Sequence, residues 1–181
     1  MRILVSETKD KLKRNIIDIP KGHLIKLLET DHGYHEVIPM EDPSIMLRIY
    51  FDIEEYSKID MLDDMLLILN KTFNTTNNDW AVCGGSRDMD DGYKISYHIM
   101  STKYAMSLIN LRRLAKKIDK HYIDTTAYWW SMNYGYDEGS LRLPNQSKNS
   151  INKEGTPMKI LQGKIQDFFI TDINNLEKYS L

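Results

Sequence analysis

Asp52 and Glu54 stand one residue apart in the run L-R-I-Y-F-D-I-E, Leu47 to Glu54. Leu47, Ile49, Phe51 and Ile53 alternate with Arg48, Tyr50, Asp52 and Glu54, and a period of two is that of a β-strand. Both carboxylates therefore leave the strand on one face, with Cα atoms about 6.5 Å apart. Two such charges held about 4 Å apart at an effective dielectric near 20 repel by on the order of 4 kcal/mol. A proton or a cation removes that repulsion. Mg²⁺ and Mn²⁺ prefer oxygen ligands, so a hard divalent cation is the expected partner. A third carboxylate from a neighbouring strand would complete a site for two ions, which can activate an attacking hydroxyl and stabilise a leaving pyrophosphate. Asp124 is the candidate. Acids at alternate strand positions are also common on solvated faces, so D-x-E by itself is permissive.

A second constellation narrows the chemistry. In K-I-S-Y-H, Lys94, Ser96 and His98 share the polar face of another alternating segment. An ammonium, a hydroxyl and an imidazole presented together suit the oxygens of a phosphate group. A lone histidine is more often a satisfied structural group, and Ser96 alone carries no signal. Further on, S-L-R-L-P-N-Q-S-K sets Arg142 between two leucines and Lys148 in a polar loop. The planar fork of arginine favours phosphate, although a snorkelling arginine has the same appearance.

These residues need elements to hold them. Strands are expected near Tyr34–Ile38, at Met46–Ile53, at Trp80–Gly84 and at Tyr93–Met100. An amphipathic helix over Ile59–Phe73 carries Leu62, Met65, Leu66, Leu69 and Phe73, with Asn74 to Asn78 as its stop. Ser101 or Thr102 is expected to cap a long helix whose apolar stripe is Tyr104, Leu108, Leu111, Ala115 and Ile118. Short strands follow at Tyr122–Asp124 and Ser140–Leu143, then a loop from Asn145 to Pro157. From Met158 the pattern predicts one more strand and a short helix, Lys164–Ile170. Interleaved strands and helices point to an α/β or α+β sheet fold.

With 181 residues the chain suffices for one domain or two closely packed modules. The single cysteine, Cys83, can form neither an internal disulfide nor a Cys-rich zinc site, which favours an intracellular setting. No stretch approaches the roughly 20 apolar residues of a membrane span, so a soluble chain without a membrane partner is expected. The net charge of −2 and pI near 6.2 argue against a uniformly basic grip on nucleic acid. Arg112, Arg113, Lys116, Lys117 and Lys120 form a local basic run, the ordinary appearance of a solvated helix face.

The segment H-E-V-I-P, His35 to Pro39, followed by Leu47 to Glu54, resembles the region around the first catalytic motif of eukaryotic primase-polymerases. In the archaeo-eukaryotic primase superfamily the first motif is D-x-D or D-x-E, the second S-x-H, and the third an aspartate after a hydrophobic residue. Asp52 with Glu54, Ser96 with His98, and Ile123-Asp124 match them in that order. I-D-T-T-A-Y and the later S-L-R-L-P-N-Q-S-K are similar to the corresponding part of primase-helicases from large DNA viruses, including poxviruses. The resemblance covers roughly residues 34 to 173.

This resemblance implies a small N-terminal α/β module packed on an RRM-like sheet, with the active site in the cleft between them. Asp52, Glu54 and Asp124 would hold two Mg²⁺ or Mn²⁺ ions. Ser96, His98, Arg142 and Lys148 would contact the incoming nucleoside triphosphate, with Arg48 and Lys94 as further phosphate or base contacts. The implied activity is that of a primase or primase-polymerase acting on a single-stranded DNA template and a primer. Residues 1–181 would be one catalytic domain, the N-terminal part of a longer primase-helicase, working where viral DNA replicates if the source is viral. There is no zinc module, and Gly84-Gly85-Ser86 lacks the G-K-[ST] of a phosphate loop. Two rivals remain: a two-metal nuclease, which needs no triphosphate contacts, and a non-catalytic RRM-like binding module, which would use Tyr50, Trp129 and Trp130 as stacking aromatics.

Overall fold

The computed structural model describes residues 1–10, 13–39, 41–57, 61–85, 87–89, 92–125, 131–133, 139–147 and 157–180. Along the chain the elements are β1 (Arg2–Asp10), β2 (Lys13–Pro20), α1 (Lys21–Leu27), β3 (Tyr34–Val37), β4 (Met46–Ser57), α2 (Leu62–Phe73), β5 (Trp80–Gly84), β6 (Arg87–Met89), β7 (Gly92–Ser107), α3 (Leu108–Thr125), β8 (Ser131–Asn133), β9 (Ser140–Arg142), β10 (Lys159–Gln162) and β11 (Glu177–Lys178). Single 3₁₀ turns occupy Asn77–Asp79 and Ile165–Phe168. The fold is α+β. Among the described residues a smaller sheet has the order β2-β1-β3-β9 and a larger one β10-β5-β7-β4-β8, with β6 and β11 also on β7. All pairings are antiparallel except β11 with β7.

The larger sheet buries one face under α2. That helix follows the predicted spacing, with Asp63 and Asp64 in its first turn and Lys71 in its last, as the helix dipole favours. It ends at Asn74, in the left-handed conformation at φ 52° that asparagine tolerates. Met65, Leu66, Leu69 and Phe73 are buried. Phe51, Phe73 and Trp80 form an aromatic cluster with ring centroids 5.5 to 6.3 Å apart. Each fully buried side chain of this size contributes about 1.5–3 kcal/mol relative to exposure. Because Phe51 faces this core, Asp52 and Glu54 belong to the opposite face. The smaller sheet has its own core, built on Ile3, Val5, Ile19, Leu24, Leu28, Tyr34, Leu143 and Phe169.

Three expected elements differ. The helix predicted from Ser101 begins at Leu108, and β7 runs on to Ser107. The hydroxyl of Ser101 does accept the Lys103 and Tyr104 N–H groups, at 3.2 and 2.9 Å, as a cap would. The chain then returns to the ladder: Met100 pairs with Tyr50 and Ala105 with Arg48, so residues 101–104 form a wide bulge opposite Ile49. Residues 122–124 are helical, because the repeat of Leu111, Leu114 and Ile118 carries α3 through Thr125 and overrides the β-forming appearance of Tyr122-Ile123. The helix expected at Lys164–Ile170 shrinks to one 3₁₀ turn. The N–H groups of Ile170 and Thr171, which would have continued it, donate to the Glu36 carboxylate at 2.6 and 2.9 Å.

Arg48 is also placed differently from expectation. It is buried beside the bulge and donates from Nη1 to the Ser101 carbonyl (2.7 Å), from Nε to that of Phe169 (3.1 Å) and from Nη2 to that of Asp172 (3.0 Å). All three guanidinium nitrogens serve backbone carbonyls that burial has cut off from water, so Arg48 is a structural bolt rather than a phosphate or base contact. Among the described residues no helix is long and apolar enough to cross a membrane.

Candidate functional site

The register of β4 on β7 assembles the site. Asp52 stands opposite His98, Glu54 opposite Ser96, and Tyr56 opposite Lys94. Directly opposed residues share a face, so the D-x-E and S-x-H pairs and Lys94 lie in one patch on the face away from α2. On its other side β4 pairs with β8, setting Asn133 against Asp52 and Ser131 against Glu54. Cys83 of β5 stands opposite His98.

Asp52 and His98 touch, with Oδ1 3.3 Å from Nε2. The Asp52 side chain keeps 19% of its surface exposed and that of His98 only 4%. Burial opposes charge on the imidazole, but the Asp52 carboxylate outweighs it, and with a contribution from Cys83 the pKa rises to about 10. The ring is therefore an imidazolium at neutral pH, with Nε2 turned to Asp52. Its Nδ1 is buried and, apart from the Cys83 sulfur that contributes to the raised pKa, finds no hydrogen-bond partner among the described residues.

Tyr50 is two residues from Asp52 on the same strand and fully buried. Burial raises its hydroxyl pKa, with Asp52 and Glu36 adding to the rise and Arg112 of α3 opposing it. A buried ring offers no stacking platform, which removes Tyr50 from the binding-module reading. Trp129 and Trp130 lie outside the described residues.

The second sheet contributes Arg142. On β9 it pairs with His35 of β3, whose Nδ1 is 3.0 Å from the Gly33 carbonyl. Arg142 Nη2 donates to Met158 Sδ at 3.2 Å, and Ser96 Oγ donates to the same sulfur at 4.0 Å. Arg142 from the smaller sheet and Ser96 from the larger thus meet at the Met158 sulfur. Met158 escaped the sequence reading because a methionine opening a strand has no chemical signature.

Not every candidate joins them. Lys148 lies outside the described residues; the loop leading to it is anchored at Ser147, whose N–H donates to Asp31 Oδ1 at 2.9 Å. Asp124 lies in the last turn of α3 rather than on a strand next to β4. Asp124 and Glu54 are described as positions in their elements, not as side chains, so Asp52 is the one acid of the trio with described contacts. Among the described side chains no group of three or more His, Cys, Asp or Glu residues could hold a metal ion. What the register supplies is two carboxylate positions on one face, flanked by the hydroxyl and amide positions Ser131 and Asn133.

No protein-family model matches the sequence, and no curated protein matches it.

Proposed function

We propose that the chain is the catalytic core of a template-directed nucleotidyltransferase of the archaeo-eukaryotic primase type, extending or synthesising primers on single-stranded DNA. The observation that carries this reading is the pairing of Asp52 with His98 and Glu54 with Ser96 on one face, with Arg142 of a second sheet meeting Ser96 at the Met158 sulfur. Acids beside a phosphate-type donor set are what transfer from a nucleoside triphosphate needs. The two-sheet organisation, with the site where the sheets meet, suits a small module packed on an RRM-like sheet.

In this reading Asp52 and Glu54, with Asp124 as third candidate, hold Mg²⁺ or Mn²⁺. Two bound ions would lower the pKa of the attacking hydroxyl and neutralise charge on the phosphates. Ser96, His98 and Arg142 grip the triphosphate, with Lys94 beside them and Lys148 as a candidate in the following loop. Positive charge there favours in-line attack by holding the α-phosphate and offsetting the negative charge that develops on pyrophosphate. Template direction, a helicase domain in the full-length protein and a role in DNA replication rest on the order of the motifs.

The test is extension of a labelled primer on a DNA template with ribo- or deoxyribonucleoside triphosphates and Mg²⁺ or Mn²⁺. The intact chain is expected to lengthen the primer. Asp52→Ala with Glu54→Ala should lower extension by about a thousandfold or more, as loss of a metal-held charge clamp does, read at a temperature where the variant, which also loses the Asp52–His98 pair, remains folded. Shortening of the primer instead would establish the nuclease.

A further inference from the structure

The convergence of Arg142 and Ser96 on Met158 is chemically odd. A guanidinium is a full cation with a rigid fork of donors, and a thioether is a weak neutral acceptor. Charge-assisted bonds to a carboxylate or phosphate oxygen are shorter and roughly twice as strong as neutral ones. The sulfur is fully buried, yet two polar side chains from two different sheets aim hydrogen at it. Ser96 and Arg142 keep other partners as well, so the sulfur marks one shared direction of donation.

The Met158 backbone is pinned. Its carbonyl accepts the Asn145 N–H at 2.6 Å, and its N–H donates to the Gln146 carbonyl at 3.4 Å. Gln146 is itself buried and holds the preceding loop, accepting the His32 and Tyr34 N–H groups and donating to the Thr30 carbonyl. The side chain has three rotatable bonds and a polarisable sulfur that adapts to irregular space. Movement of the sulfur, which packs in the core of the larger sheet, would therefore go by rotation about these bonds while the backbone stays.

We propose that Met158 is a displaceable stand-in for an anionic oxygen, occupying between Arg142 and Ser96 the position a phosphate group of the substrate takes when it binds. The identity of that phosphate as part of a nucleoside triphosphate rests on the function proposed above; the anion subsite itself does not. Met158 thereby acts as a gate, which each binding event must move aside.

Met158→Glu tests this directly, because the glutamate carboxyl carbon falls where Sδ lies and its oxygens reach the same donors. In the full chain at pH 7.5 in EDTA, Met158→Glu is expected to melt within about 3 °C of the unsubstituted protein. It should also bind ATP and dATP at least about tenfold more weakly, by isothermal titration, since the site carries its own anion. Met158→Leu keeps the bulk without the acceptor and should bind both at least as tightly as the parent. An unpaired buried carboxylate would instead lower the melt by about 10 °C or more, and that result overturns the proposal. So does a stable Met158→Glu that binds triphosphate undiminished. A stable Met158→Glu in a protein whose unsubstituted form binds no triphosphate upholds the anion subsite and rejects the nucleotide reading.

Discussion

At the scale of the residue, the contact between Asp52 and His98 sets a carboxylate beside a buried imidazole. The imidazolium supplies the positive charge, and burial strengthens the attraction by excluding water. This has a signed consequence for pH. With its folded-state pKa raised to about 10 from an ordinary 6.5, His98 contributes stability that is fully present below 6.5 and is lost as pH rises through 10. In EDTA the unfolding midpoint of the protein should therefore fall between pH 6.5 and 10, and His98→Gln should flatten that fall. Equal slopes for the two proteins would mean that the pair is not ionised as described. The partnership itself was legible as two alternating motifs, D-x-E and S-x-H, whose faces follow from a period of two. Their register was not, because nothing local to either strand says which residue of one opposes which of the other.

At the scale of the element, the strands that carry chemistry read cleanly, and the places where they bend did not. β5 spans the expected residues and β4 begins at the expected Met46, but residues 47–51 of β4 and 96–101 of β7 are buried on both faces rather than on alternate ones. The bulge at 101–104 hid behind a serine that looks like a helix cap and does make the hydrogen bonds of one. Arg48 looked like a member of the polar face for the same reason: alternation assigns it there, and only the bulge reveals why it is bolted down. Carbonyls that leave a ladder at a bulge must find donors elsewhere, and the guanidinium serves one of them together with two carbonyls of the C-terminal segment. Lysine offers a point charge without the fork. Arg48→Lys should therefore cost about 2–4 kcal/mol, from two stranded carbonyls and a poorly hydrogen-bonded buried ammonium, read from urea unfolding. A loss below about 0.5 kcal/mol would show the bulge stable without the bolt. The N-terminal hairpin β1–β2 and α1 escaped the sequence reading, since charged residues interrupt the alternation there.

At the scale of the whole molecule, the two sheets are joined through the segment Phe168–Asp172. Arg48 of the larger sheet holds the Phe169 and Asp172 carbonyls with its side chain and the Ile170 carbonyl with its backbone N–H. Glu36 of the smaller sheet accepts from the Ile170 N–H, the Thr171 N–H and the Thr171 hydroxyl. Lys21 pairs with Asp172 at the end of the same segment. Glu36 is fully buried, and burial raises its pKa against the opposing pull of its Thr171 and Ile170 donors and of Arg48. Glu36 is also the neighbour of His35, which pairs with Arg142, whereas Ser96 belongs to the other sheet. On the proposed function, the strap that joins the sheets would set the gap between Arg142 and Ser96. Glu36→Gln can keep the Thr171 donors on its carbonyl oxygen but turns an amide donor toward the Ile170 N–H, at a cost of about 1–3 kcal/mol. If the gap matters to the reaction, this variant should raise the triphosphate KM several-fold at a temperature where it remains folded, with a smaller change in kcat. The ratio separates positioning from mere destabilisation: a variant that melts earlier but keeps the KM of the parent would show that the strap holds the sheets together without tuning the site.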